Sequence, residues 1–241
     1  MLKNKTVVVL GSEGLLGKEF VRSLKANNAT VIRSDIADIN DDDYKKCDIT
    51  DKNSVIELID HVKHRYGKID AVVNSAYPRN KNYGRKFEEV EYEDFCENVD
   101  LHLGGYFLVM QQFAEYFKTQ GYGNIINIAS IYGVMPPRFE IYEDTNMTMP
   151  VEYNVIKHSI ISLSKYVAKY YKNQNIRINC ISPGGIYNNQ PEGFVRKYNE
   201  YALNKGMLDT VDVSGVLIFL VSDMSRYING QNIVVDDGWS L

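Results

Sequence analysis

The chain has 241 residues, and its 31 acidic and 27 basic side chains leave a net charge of −4 beside a hydrophobic fraction of 44%. This is the composition of a soluble globule long enough to bury its own core, and it excludes a disordered chain or one that needs disulfide or metal staples. No clustered Lys and Arg point to a nucleic-acid partner, and the longest apolar run, Val216 to Val221, is far short of the roughly 20 residues that cross a bilayer.

The first residues run directly into a strand-like segment without a separate apolar region, so no secretory signal is expected. Cys47, Cys96 and Cys180 are scattered and odd in number, which fits reduced thiols and a cytoplasmic location.

Apolar β-branched runs alternate with helix-period segments along the chain, the pattern of βαβ units around a parallel sheet. In chain order the expected strands are Thr6 to Leu10, Thr30 to Ser34, a short one near Tyr44 to Cys47, Ile69 to Asn74, Asn124 to Ala129, Ile176 to Ile181 and Asn232 to Val235. The expected helices lie at Leu15 to Asn27, Asp51 to Tyr66, Glu91 to Thr119, Val151 to Asn173 and Val211 to Ser222. The fold class is therefore α/β, a doubly wound parallel sheet of about seven strands in a three-layer αβα sandwich. No linker or repeat divides the chain, so residues 1–241 read as one domain. Its two irregular stretches, about 136–150 and 184–208, are candidates for an active-site insertion and a substrate loop.

Gly11-Ser12-Glu13-Gly14-Leu15-Leu16-Gly17 joins the first strand to the first helix. Glycines here permit a tight turn, close backbone approach to a pyrophosphate and close helix packing, while the helix N-terminus offers free N–H groups to phosphates. Asp35, at the end of the second strand, suits the acid that accepts hydrogen bonds from an adenosine ribose. A 2′-phosphate about 4 Å from that carboxylate would be repelled by roughly 1–4 kcal/mol, which favours NAD over NADP. Arg33 is a nearby basic group that bears on the same choice.

Tyr153 and Lys157 stand four residues apart, hence on one helix face. A neighbouring ammonium favours the phenolate, which suits proton exchange with an alcohol or carbonyl.

Taken with these motifs, Cys47-Asp48-Ile49-Thr50-Asp51, Asn74-Ser75-Ala76-Tyr77, Ile128-Ala129-Ser130, Pro183-Gly184-Gly185-Ile186 and the Asn229 to Gly238 segment resemble, in order, those of the short-chain dehydrogenase/reductase family, in its short single-domain branch with a Rossmann-type fold. The resemblance implies that Tyr153 is the acid-base group, that Ser130 bonds the substrate oxygen and that Lys157 holds the nicotinamide ribose and lowers the phenol pKa. It implies cofactor contacts from Gly11, Ser12, Gly14, Leu15, Leu16, Gly17, Asp35, Asp48, Ile49, Asn74, Ala76, Pro183, Gly184 and Ile186. It also implies a homo-oligomer, dimer or tetramer.

Four departures stand out. His102 replaces the asparagine of the family's tetrad, adding an imidazole that titrates near 6.5 to the proton relay. The glycine spacing is that of the family's extended branch, for whose second domain this chain has no space. Tyr77 replaces a glycine, and Asn188 a threonine. Finally, Ser130 and Tyr153 are 23 residues apart, more than the family pattern. The intervening Arg138, Glu140, Tyr142, Asp144 and Asn146 suggest a polar substrate. The insertion is similar to that of flagellin-modification members of the family, tied to bacterial nonulosonic sugars.

Tyr132, Tyr187, Asn189 and Phe194 are further candidates for the pocket lining. His61 and His64 share a helix face without a third ligand and read as solvated, so no metal is expected. The leading expectation is an NAD-dependent oxidoreductase acting on a small, polar, sugar-derived molecule. The alternatives are a non-catalytic dinucleotide-binding sensor and an NADPH-dependent 3-oxoacyl or general carbonyl reductase.

Overall fold

The computed structural model describes residues 1–241. Six strands, β1 (Thr6–Leu10), β2 (Thr30–Ser34), β3 (Ala71–Asn74), β4 (Gly123–Ile128), β5 (Ile176–Pro183) and β6 (Asn232–Val235), form one parallel sheet in the order β2-β1-β3-β4-β5-β6. The helices are α1 (Leu15–Ala26), α2 (Lys52–Tyr66), α3 (Tyr92–Val99), α4 (Gly105–Gln120), α5 (Val151–Tyr170), α6 (Glu192–Asn199) and α7 (Ser214–Val221).

The continuous apolar runs of β1 and β3 follow from burial on both faces. Val8, Leu10 and Val72 face a core shared with α2, α4 and α5, whereas Val7, Val9 and Val73 face one shared with α1 and α7. A third, smaller cluster lies beyond the strand ends and joins Ile131, Tyr132, Ile141, Phe194, Tyr198, Met207 and Trp239.

Strand order reverses at β1, which pairs with β2 on one side and β3 on the other. Crossovers leave in opposite directions there, so a crevice opens above the strand ends, where this kind of sheet binds ligands.

Three expectations need correction. The segment Tyr44 to Cys47 is not a seventh strand: only Tyr44 pairs with Arg33, and Cys47 N then bonds Asp35 O beyond the end of β2. The helix expected from Glu91 to Thr119 is interrupted by a π turn at Asp100–Gly104, whose extra residue carries His102 into the interior. Such turns are frequent at functional sites. The loop expected at 184–208 contains α6 and is closed at its base, where Tyr187 N donates to Leu208 O and Leu208 N to Gly185 O, each at 2.8 Å.

Candidate active site

The ends of β1, β3, β4 and β5 open into one cavity of about 1330 Å³. At one extremity Gly11 turns the chain with φ +74°, and a Cβ there would stand 2.6 Å from Ala76 N. Only glycine fits, because the loops after β1 and β3 nearly touch. A Cβ on Gly17 would lie 1.9 Å from Gly11 O, so α1 rests directly on the turn. The first turn of α1 has no side-chain cap and no acidic residue, which leaves the Leu15 and Leu16 end of the helix open to an anion.

Asp35 faces the same space, its carboxylate oxygens accepting from Glu13 N at 3.0 Å and Ile36 N at 2.7 Å. Arg33 is committed elsewhere: Glu13, Asp41 and Asp43 hold its guanidinium at 3.3, 2.5 and 2.9 Å. Asp48 accepts from Thr50 N and its hydroxyl, and lines the cavity with Ile49, Ala76, Pro183, Gly184 and Ile186. This donor and acceptor set fits a dinucleotide.

Two of the expected contacts lie off the cavity. Ser12 is buried, its N–H donating to Ser34 O. Asn74 is also fully buried: its carbonyl accepts from the Tyr106 hydroxyl at 2.9 Å and its side-chain oxygen from Ala76 N. Asn74 ties β3 to α4 and stands behind the wall rather than in it.

At the other extremity, Ser130 continues the extended path of β4, and its Oγ accepts from Tyr132 N at 3.2 Å. Tyr153 and Lys157 stand one turn apart near the start of α5, which follows Pro150. The Lys157 ammonium is buried, donates to Ile128 O at 2.9 Å and lies 5.5, 5.6 and 5.7 Å from the ring centres of Tyr153, Tyr106 and Tyr77.

Burial lowers the Lys157 pKa to about 7. Burial likewise raises the Tyr153 phenol, and the contribution that lowers it comes from the Ser130 hydroxyl. Desolvation is thus the largest influence on both groups, and the Ser130 hydroxyl acts against it on the phenol.

His102 packs edge-on against Tyr77 at 5.0 Å and tilted against Tyr106 at 5.3 Å, and neither ring nitrogen has a partner. Burial, then the charges of Lys157 and Arg79, hold its pKa well below the ordinary value. Both the burial and the two neighbouring cations thus favour the neutral imidazole.

The insertion departs from its expected character. Arg138 turns away, donating to Trp239 O and Leu241 O and stacking on the rings of Tyr201 and Trp239 at 4.2 and 5.0 Å. Glu140 accepts from the Tyr201 hydroxyl, Asp144 pairs with Lys197 and Asn146 is exposed. The residues that reach the cavity are Tyr142, Met147, Met149 and Pro150. Arg138, Glu140 and Asp144 thus have partners on neighbouring segments, and the two methionines turn inward.

Tyr132, Phe194 and Asn188 also line the cavity, whereas Tyr187 borders a separate groove beside α6 and Asn189 lies in neither. The sequence reading missed Arg79, Gln190, Tyr198 and Met207. For Arg79 the available signal was its position directly after Tyr77-Pro78, where a motif residue had already changed.

A family model described as enoyl-(acyl carrier protein) reductase matches residues 16–240. The post-translational flagellin modification protein A of Campylobacter coli is 43% identical over 256 aligned positions, covering all of both chains. The 3-oxoacyl-(acyl-carrier-protein) reductase of Thermotoga maritima is 30% identical over 254, covering 98% of each. Among solved structures, a short chain dehydrogenase of Leptospira borgpetersenii with bound NAD+ is 32% identical, with a TM-score of 0.88 over 100% of this chain and 94% of that one. Full-length kinship of this depth, on a parallel sheet with a glycine turn at its switch point, makes the chain an oxidoreductase of CH–OH groups and a member of the short-chain dehydrogenase/reductase family.

Proposed function

We propose that the protein interconverts a secondary alcohol and a carbonyl on a polar, sugar-derived substrate with NAD as hydride carrier. The observation that carries this reading is the cavity itself, which has the Gly11 to Gly17 turn and Asp35 at one end and Ser130, Tyr153 and Lys157 at the other. The nicotinamide, when bound, supplies or accepts the hydride.

Tyr153 gives its phenolic proton to the carbonyl oxygen during reduction and takes it back during oxidation. Ser130 holds that oxygen and stabilises the phenolate. Lys157 binds the nicotinamide ribose, and in its protonated form its charge supports the phenolate. His102, with both ring nitrogens unpartnered in the chain, would offer one donor and one acceptor to the relay behind Lys157. Gly11, Gly14, Leu15, Leu16 and Gly17 hold the pyrophosphate, while Asp48, Ile49, Ala76, Pro183, Gly184 and Ile186 flank the rest of the dinucleotide.

Asp35 supports NAD, since its carboxylate would meet the ribose hydroxyls and the adjacent cation, Arg33, is neutralised by three carboxylates. The sugar class rests on the kinship with the Campylobacter coli protein and on the phenols of Tyr132, Tyr142 and Tyr198 lining the substrate end.

Met147, Met149, Met207 and Phe194 also line that end, and they favour a second reading, a 3-oxoacyl or general carbonyl reductase. A panel of phosphorylated, amino and nucleotide-linked sugars beside 3-oxoacyl esters, followed by NADH absorbance, tests the choice. Turnover of sugars supports the first reading, turnover of acyl esters alone replaces it with the second, and no turnover on either overturns both.

A further inference from the structure

We infer that Arg79 is a specificity-determining residue that binds an oxyanion, a phosphate or carboxylate, carried by the substrate. The inference rests on the reading that the substrate meets Tyr153 in this cavity.

The Arg79 guanidinium is exposed, has no carboxylate partner in the chain, acts on the neighbouring Tyr77 phenol, and lines the same cavity as Ser130 and Tyr153. Its central carbon lies over the Tyr77 ring, 4.9 Å from the ring centre, and that ring meets the Tyr153 ring edge-on at 5.9 Å. One aromatic ring thus separates a free cation from the catalytic phenol, a gap that a single sugar-sized molecule covers.

Its placement is fixed from behind. Asn80, the next residue, donates its backbone N–H to Asn98 Oδ1 at 2.9 Å, and its side-chain amide donates to Asp94 and Glu97 at 2.9 and 2.7 Å. Asn82 and Arg85 bond the same Asp94, and Thr148 of the insertion bonds Gly84 O. A loop anchored on both sides holds the fork in place, which lowers the entropy cost of bidentate anion binding.

Charge around the cavity is asymmetric. Its carboxylates, Glu13, Asp35 and Asp48, all lie at the glycine-turn end, while the lining from Ser75 to Met207 contains Arg79 and Lys157 and no acid. Such an end attracts an anion and offers it a planar donor.

The test uses NADH-saturated protein, so that the pyrophosphate site is filled, and measures binding of inorganic phosphate and of glucuronate by calorimetry for wild type, Arg79→Gln and Arg196→Gln. Wild type and Arg196→Gln should bind at least one probe equally, and Arg79→Gln should lose about ten- to a hundredfold, as expected for two charge-assisted bonds. The phosphate and glucuronate arms separate the two kinds of anion. NADH affinity, read from nicotinamide fluorescence, should be the same in all three proteins.

Equal anion binding by wild type and Arg79→Gln overturns the inference, as does weakened NADH binding in Arg79→Gln, which would make Arg79 a cofactor group. No anion binding by wild type overturns it as well. If the anion effect appears while no sugar is turned over, the inference stands and the sugar reading falls.

Discussion

At the glycine-turn end of the cavity the shape is set by backbone, by Gly11 against Ala76 and Gly17 against Gly11. At the substrate end it is set by side chains from separate segments, among them Tyr77 and Arg79 after β3, Met147 and Met149 of the insertion and Phe194 of α6. On the proposed function the first end would recognise something invariant, a diphosphate and a ribose, for which a fixed backbone suffices. The second is assembled from loops that can change one at a time without disturbing the sheet.

That contrast can be broken at several places. Tyr153→Phe should reduce turnover by about 10²–10⁴-fold while NADH affinity is kept, because only the proton donor is lost. Loss of NADH binding in this variant would show the phenol to be part of the cofactor site instead.

Gly17→Ala should cost about 3 kcal/mol or more of stability, or abolish NADH binding, since its Cβ would overlap Gly11 O. Urea unfolding and nicotinamide fluorescence check this. Alanine at Met147 should by contrast leave NADH affinity as it is and change only substrate KM.

Lys157 gives a pH-dependent comparison. Its folded pKa of about 7 lies below the ordinary value of 10.5, so between these values the unfolded chain binds more protons and stability rises with pH. Below about 7 the cost of burying the ammonium is complete. Lys157→Met should therefore be more stable than wild type at pH 7, with a gap that narrows toward pH 9 by up to about 1.4 kcal/mol per pH unit. A gap that stays constant over this range would mean that the amine remains charged in the fold.

Asp35→Ala should shift the NAD to NADP preference by about tenfold in favour of NADP, read as the ratio of kcat/KM values. Arg138→Ala should have the smallest effect, about 1–2 kcal/mol of stability from lost stacking on Tyr201 and Trp239.

The glycine-turn end was legible in the sequence because its determinants are local. A strand buried on both faces reads as an unbroken apolar run, and a turn that excludes Cβ atoms reads as glycine. Tyr153 and Lys157 were legible as a pair for the same reason, since they share one helix turn, whereas Ser130 was pointed to only by the family resemblance of Ile128-Ala129-Ser130. The π turn was not, since one extra residue in a helix leaves the apolar pattern on both sides intact; only His102 at an asparagine position hinted at it.

The insertion was misread through its composition. Arg138, Glu140 and Asp144 looked like substrate contacts, but each is satisfied by a residue distant in sequence, which composition cannot reveal. The short pairing at Tyr44 failed as a strand for a related reason: whether an apolar stretch at a sheet edge extends its ladder depends on where the chain goes next.

The chain has one tryptophan, and it sits in the third cluster. Trp239 is fully buried, donates its indole N–H to Tyr198 O at 2.9 Å and stacks on the Tyr198 ring at 4.8 Å, with Arg138 over its face. The protein thus carries a single indole, the one side chain excited selectively at the red edge of the absorption band, wedged between α6 and the insertion. Its emission will be blue-shifted in the closed arrangement and will move to the red when those segments part. A label-free optical signal of substrate-loop movement, separate from events at the glycine turn, is therefore built into the chain.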